Sequence, residues 1–361
     1  MTAAAAARVA PGVFAALAAA GHRLPIGTDL VLHERSDPEA ARRDGRLLAG
    51  VVAEAAARYR TPLAVPLMDL RLEKADLVAR LRPGADPAGF RFDGPPDERD
   101  MDAARATARG AFGAEQRAQL DAVAAVAARP GLVPLGMAIG PFSLLTKLLA
   151  DPIAAVGLAG RGVRPEDEPL VAAAERALEL AEGAVRRSVA AQLDAGAAAV
   201  VVCEPAASAL FVSPRQVAAG SRVFERFVVE PLRRLREVLD EAGALLFLHD
   251  CGELTDGLLA ALATGVRPAV LSLGASRRLW DDARIVPEEV VLFGNLETKH
   301  FYSDATLPLE AVRARTREIL ARMRDAGRPF ILGSECDVLH VAGAGETIRA
   351  KVEAMLTTEA D

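Results

Sequence analysis

Three side chains in this sequence have the types and positions needed to hold a metal ion. The run Leu245-Leu-Phe-Leu-His-Asp-Cys-Gly252 is apolar over the length of a strand and then ends in a histidine and a cysteine two residues apart. On an extended backbone residues i and i+2 point to the same side, so an imidazole nitrogen of His249 and the Cys251 sulfur can converge on one point. A second apolar run, Pro329-Phe-Ile-Leu-Gly-Ser-Glu-Cys336, ends in another cysteine. One imidazole and two thiolates make the ligand set of a zinc site whose fourth position stays open to substrate. The competing reading is core packing, because free cysteine is among the most buried residue types and a His-x-Cys triplet is short enough to arise by chance. The strand-end setting of both runs favours the metal.

Positioning these groups requires a scaffold that ends many strands on one side. The alternation supplies it. Strands are expected at Pro62–Met68, at Ala197–Cys203, at the two runs above, at Pro268–Leu273 and at Val290–Asn295. A further strand, rich in small residues, spans Gly131–Gly140, and a weak one is expected at Gly89-Phe-Arg-Phe92. Between them lie Ala-rich amphipathic helices, notably Asp102–Arg129, Leu170–Ala195 and Pro214–Ala242. The near-continuous apolar run Ala197-Ala-Ala-Val-Val-Val-Cys203 is of the kind a parallel sheet buries on both faces. Eight strands alternating with helices close as an α/β (β/α)8 TIM barrel, whose catalytic groups come from the carboxyl ends of the strands. Asp69, Glu204, His249, Cys251, Asn295 and Cys336 all stand at such ends. The alternative is an open doubly wound sheet, which would leave the strand near Phe90 outside the count; no Gly-rich phosphate loop supports it.

Residues 1–60 read as an N-terminal helical leader packed on the barrel, and 61–361 as the barrel itself, one structural domain overall. In the leader Arg23-Leu-Pro-Ile26 is expected to form a turn, and Asp37-Pro38 to start a helix, with Asp at the N-cap and Pro at the first helical position. The stretch from Ala3 to Ala20 is apolar and ends in small residues like a signal peptide, but Pro11-Gly12 interrupts it and its basic start is weak.

Composition narrows the function. Hydrophobic residues make up 51% and charged residues 25% of the 361, as in folded globular proteins. The net charge of -6 argues against a nucleic-acid surface, and no apolar run reaches the roughly 18 residues of a membrane span. An odd set of Cys203, Cys251 and Cys336 is not a disulfide framework, which points to a reducing, cytoplasmic setting. Cys203 lies within an apolar strand and reads as core. His22, His33, His300 and His340 have no partner pattern, and only four of the 43 cationic residues are lysines.

From about Arg23 to Met355 the chain resembles the uroporphyrinogen decarboxylase superfamily. The resemblance is carried by Met68-Asp69-Leu70, Gly140-Pro-Phe-Ser-Leu144, Glu204-Pro-Ala-Ala-Ser208, His249-Asp-Cys-Gly252, Gly294-Asn-Leu296 and Gly333-Ser-Glu-Cys336. It implies the same barrel and two possible chemistries. The decarboxylases proper use a catalytic aspartate, matched by Asp69, but their carboxylate-binding positions differ here. His22-Arg-Leu-Pro-Ile26 replaces an Arg-rich motif, Lys147 stands for a tyrosine, Pro205 falls near a serine, and Ser334-Glu335-Cys336 replaces Gly-His-Gly. The second branch resembles zinc-dependent methyltransferases that move a methyl group between a corrinoid protein and a thiol such as coenzyme M. Their His-x-Cys-Gly and late cysteine are matched by His249, Cys251 and Cys336, with Asp250 and Glu335 as acidic departures.

The expected function is therefore methyl transfer from a methyl-corrinoid, carried by a partner protein, to a thiol activated by Zn2+. Asp69 and Glu204 would be catalytic, and Asn295 and Glu335 would bind substrate. Glu204 or Glu335 could also occupy the fourth metal position. The partners expected are a small thiol and the corrinoid protein, with neither nucleic acid nor membrane; a homo-oligomer is compatible with the sequence. Cofactor-free uroporphyrinogen decarboxylation through Asp69 is the second hypothesis, and a non-catalytic barrel that keeps zinc for stability the third.

Overall fold

The computed structural model describes residues 12–106 and 111–360. Eight strands, all paired in parallel, form a curled sheet of the TIM-barrel type: β1 (Arg23–Leu24), β2 (Leu63–Ala64), β3 (Val133–Ile139), β4 (Ala199–Cys203), β5 (Leu245–Asp250), β6 (Val270–Leu273), β7 (Val291–Leu296) and β8 (Phe330–Ser334). Their order is β1-β8-β7-β6-β5-β4-β3-β2. The two shortest strands thus flank the seam. Side chains span it: His22 Nε2 lies 2.8 Å from Thr61 Oγ1, Thr28 Oγ1 donates to the Val65 carbonyl at 2.6 Å, and the Tyr59 hydroxyl donates to Gly27 at 2.8 Å.

The strands divide their side chains between two apolar layers, as the period of two requires. Along β4, Val200 and Val202 join the layer beneath the helices, while Ala199, Val201 and Cys203 point into the barrel. Inside, Phe247 meets Phe293 edge-on at 5.2 Å, and Phe14 of the first helix (Val13–Ala19) covers Phe247 at 5.9 Å. Room for Phe293 comes from Gly333, where a Cβ would lie 2.2 Å from the ring. The barrel interior is a packed core, and the clustered histidine and cysteines lie toward its carboxyl end.

Eight strands are present, but not the eight expected. The strand at Gly89–Phe92 is a loop whose one bridge runs from Phe92 to Leu149, outside the sheet; the Phe90 and Phe92 rings pack on each other at 4.9 Å instead. The missing strand is Arg23–Leu24, expected as a turn, whose residues register with Leu332 and Gly333. Two residues before a proline show no periodicity, so only pairing with β8 defines them. The segment before residue 61 therefore supplies a barrel strand as well as helices. The helix expected over Asp102–Arg129 is two, Glu98–Ala106 and Ala114–Ala127. That of Pro214–Ala242 is broken at Gly220, whose φ of +91° no helix allows. Asp37 caps its helix as expected, accepting from the Ala40 amide at 2.9 Å. Of the apolar stretch expected from Ala3 to Ala20, the part up to Pro11 lies outside the described residues.

Candidate metal centre

His249 is the last but one residue of β5, on the inward face, and is 1% exposed. Cys251 follows on the same side. β8 is three strands away in the sheet order, so on a flat sheet Cys336 would be remote; the curl of the barrel carries it across the mouth. The donor atoms of His249, Cys251 and Cys336 lie within 4.8 Å of one another, the one such convergence of three found among the described residues.

The histidine is held from behind. Its Nδ1 lies 2.8 Å from Ser272 Oγ on β6, a strand register partner. With Nδ1–H donated to that hydroxyl, the Nε2 lone pair faces the sulfurs. This Nε2 is buried with no nitrogen or oxygen partner, and the thiol sulfurs are the polar atoms it meets. Histidine ligands are oriented in this way, the second nitrogen fixed by a neighbouring polar group. The two thiols share a proton. The Cys251 hydrogen bond, with help from His249, holds Cys336 below the ordinary thiol range against its burial, while the same hydrogen bond and burial push Cys251 up. A cation held between them would take the place of the shared proton. The donor set, the spacing and the buried nitrogen fit zinc.

The acidic neighbours have other engagements. Asp250, fully buried, accepts from the Gly252 amide at 2.8 Å through one oxygen and leaves the other unpartnered; burial pushes its carboxyl well above the usual range, favouring the uncharged form beside the sulfurs. Glu204 is fully buried too. Its oxygens accept from the amides of Phe142 at 3.1 Å and Ser143 at 2.5 Å, at the start of the helix Pro141–Leu148. A Cβ on Gly140 would sit 2.1 Å from that carboxylate, so only glycine lets it reach the helix. Burial raises Glu204 to about 7, opposed by these amides. Glu335 accepts from the amides of Ala275 at 3.3 Å and Lys299 at 3.4 Å, with Lys299 Nζ at 3.8 Å. Asn295 donates to the carbonyls of Gly274 and Arg277, both at 2.9 Å, and so pins the loop after β6.

Asp69, beyond β2, is not among the three clustered donors. Burial alone would raise its carboxyl, but Arg71 grips it through two nitrogens at 2.8 and 2.6 Å and holds it below the usual range. It lines a cavity of about 380 Å³ with Arg42, Asp29 and Asp337. Of the residues lining this cavity, Asp337 follows Cys336 directly in sequence. Sequence reasoning singled out neither Ser272 nor Asp337. Ser272 was detectable as the one polar residue in the apolar β6; Asp337 carried no signal.

The uroporphyrinogen decarboxylase (URO-D) family pattern matches residues 28–357. The chain belongs to that family. Among solved structures, a methyltransferase from Methanosarcina mazei superposes with a TM-score of 0.65 at 16% identity, covering 92% of this chain and 91% of that one. A 3-keto-D-glucoside 4-epimerase from E. coli gives a TM-score of 0.38 at 14% identity over 67% of this chain and 85% of that one. No curated protein matches. The first likeness is one of fold. No helix among the described residues is long and apolar enough to cross a membrane.

Proposed function

We propose that this protein is a zinc-dependent methyltransferase that moves a methyl group from a methyl-corrinoid, carried by a partner protein, to a small thiol. The observation that carries this reading is the convergence of the buried His249 Nε2 with the sulfurs of Cys251 and Cys336. The M. mazei methyltransferase of the same fold is consistent with it. His249 would bind as the neutral imidazole fixed by Ser272, and both cysteines as thiolates. Zinc held there supplies one thing, a thiol substrate kept deprotonated at neutral pH, where a free thiol of pKa about 8.5 is mostly protonated. Two thiolates and an imidazole offset the ion's charge, which leaves a bound sulfur electron-rich. Asp250, favoured in its uncharged form by burial, and Glu335, beside Lys299, preserve that balance. Asp69 and the cavity it shares with Arg42 would position substrate next to the metal, and Glu204 would fix the helix that forms the adjoining wall.

Decarboxylation draws on Asp69 alone, and that carboxylate is already bound by Arg71 on both oxygens. The test has two parts. Elemental analysis of the purified protein should give about one zinc per chain, lost in Cys251→Ser and Cys336→Ser while the barrel stays folded. Methylcobalamin with candidate thiols should then give methyl-thioether at a rate that falls to background in His249→Ala. Wild-type protein that neither carries nor takes up zinc would end the proposal.

A further inference from the structure

A second cavity, of about 330 Å³, opens beside the helix Leu72–Leu81. Its wall carries Lys74, Arg91 and Lys147. Lysine is scarce here, four of 43 cationic residues, yet two of the four face this one space. Arginine suits planar bidentate partners, whereas an ammonium is a compact point charge. Lys74 is only 6% exposed, and its Nζ donates once, to the Ala88 carbonyl at 3.3 Å. Arg91 donates through Nη1 alone, to the carbonyls of Ala88 at 3.0 Å and Phe90 at 2.7 Å. Among the described residues none of the three forms an ion pair with a carboxylate.

The acids on the wall do not cancel them. Glu115 lies 3.3 Å from Arg43 and 3.8 Å from Arg71, and Asp86 turns its oxygens to the amides of Ala88 and Gly89 at 3.0 and 2.9 Å. Burial, then Arg91, then Lys147 depress Lys74 to about 8, with Asp86 giving weak support. Three cations that outweigh the one carboxylate acting on Lys74 repel one another, a cost that a multiply charged anion removes. The cavity has room for such a group and a few further atoms, at the lower end of ordinary ligand pockets.

We propose that Lys74, Arg91 and Lys147 form a binding site for a small organic molecule ending in a tetrahedral phosphate-class oxyanion. The site is separate from the metal centre and does not depend on the zinc reading. Arg71 and Glu115 line both this cavity and that of Asp69, so the anionic end of a ligand held here would direct its remainder toward Asp69.

Inorganic phosphate is the probe, titrated calorimetrically into the full-length protein against sodium chloride of equal ionic strength. One saturable site per chain is expected. Lys74→Met and Lys147→Met should each weaken it about tenfold or more, the loss of one charge-assisted hydrogen bond. Arg222→Met, which removes an exposed charge elsewhere, should leave it unchanged. Binding should also persist in Cys336→Ser, which separates it from phosphate resting on the metal. If Lys74→Met does not fold, the exposed Lys147 decides the matter alone. The proposal falls if phosphate shows no saturable binding, if both lysine variants bind it as wild type does, or if Cys336→Ser abolishes it.

Discussion

Removing the Ser272 hydroxyl should weaken zinc binding without touching a ligand. His249 Nδ1 and Ser272 Oγ are 2.8 Å apart, with the residues 1% and 0% exposed. No bulk water reaches the pair, so Ser272→Ala leaves a buried N–H unpaired, at a cost of about 1–3 kcal/mol. It also frees the imidazole to rotate or to change tautomer. Outer-sphere partners of this kind are worth about 10–100-fold in metal affinity, or about 1.4–2.7 kcal/mol. Competition of the apo-protein with a chromophoric chelator measures this directly. Ser272→Ala should fall between wild type and Cys251→Ser, and Ser272→Thr, which keeps the hydroxyl and suits a strand, should recover most of the loss. An alanine variant that binds zinc as wild type does, within about twofold, would refute the claim that Ser272 orients His249.

Other consequences are as direct. Glu73, fully buried with Ser188 Oγ at 2.8 Å, has its pKa raised by burial from 4.5 to about 7. A raised carboxyl favours the fold fully below the unfolded value and loses that contribution as pH rises through the folded one, so stability should decline from about pH 4.5 to 7. The ceiling for this group is about 3 kcal/mol. Urea unfolding across that window should show a shallower decline in Glu73→Gln, and an unchanged slope would refute the assignment. Gly333→Ala drives a methyl to within 2.2 Å of the Phe293 ring and should cost about 1–3 kcal/mol, read from the urea midpoint; a midpoint equal to wild type would show that the barrel interior yields freely. Uroporphyrinogen should not be decarboxylated at an enzymatic rate, and coproporphyrinogen-type product that disappears in Asp69→Asn would reverse that.

What the sequence made legible follows the length of the signal. Long apolar runs such as Ala197–Cys203 are dictated locally by β-branched residues, and the structure keeps them. Arg23–Leu24 has no such signal, because two residues become a strand only through Leu332 and Gly333, more than three hundred positions away. Phe90 and Phe92 misled for the opposite reason: aromatic alternation reads as a strand, but the two rings bury each other within a loop.

The same distinction runs through the site. His249 and Cys251 announce themselves by the i, i+2 rule, and Cys336 by ending a second apolar run; the curl of the sheet then supplies what spacing cannot, the approach of β8 to β5. Glu204 and Asn295 also stand at strand ends, yet their polar atoms turn to a helix start and to a loop. A strand end places the Cα at the mouth of the barrel but does not say which way the side chain spends its hydrogen bonds. That depends on neighbours such as Gly140, whose missing Cβ lets Glu204 lean onto the helix. For His249 the corresponding neighbour is Ser272, which satisfies one nitrogen and leaves the other facing the two sulfurs. An open hydrogen-bonding position alone does not mark a ligand, since Asp250 also leaves one oxygen unpartnered; what sets His249 Nε2 apart is that it opens beside two thiols, where the proposed metal would sit.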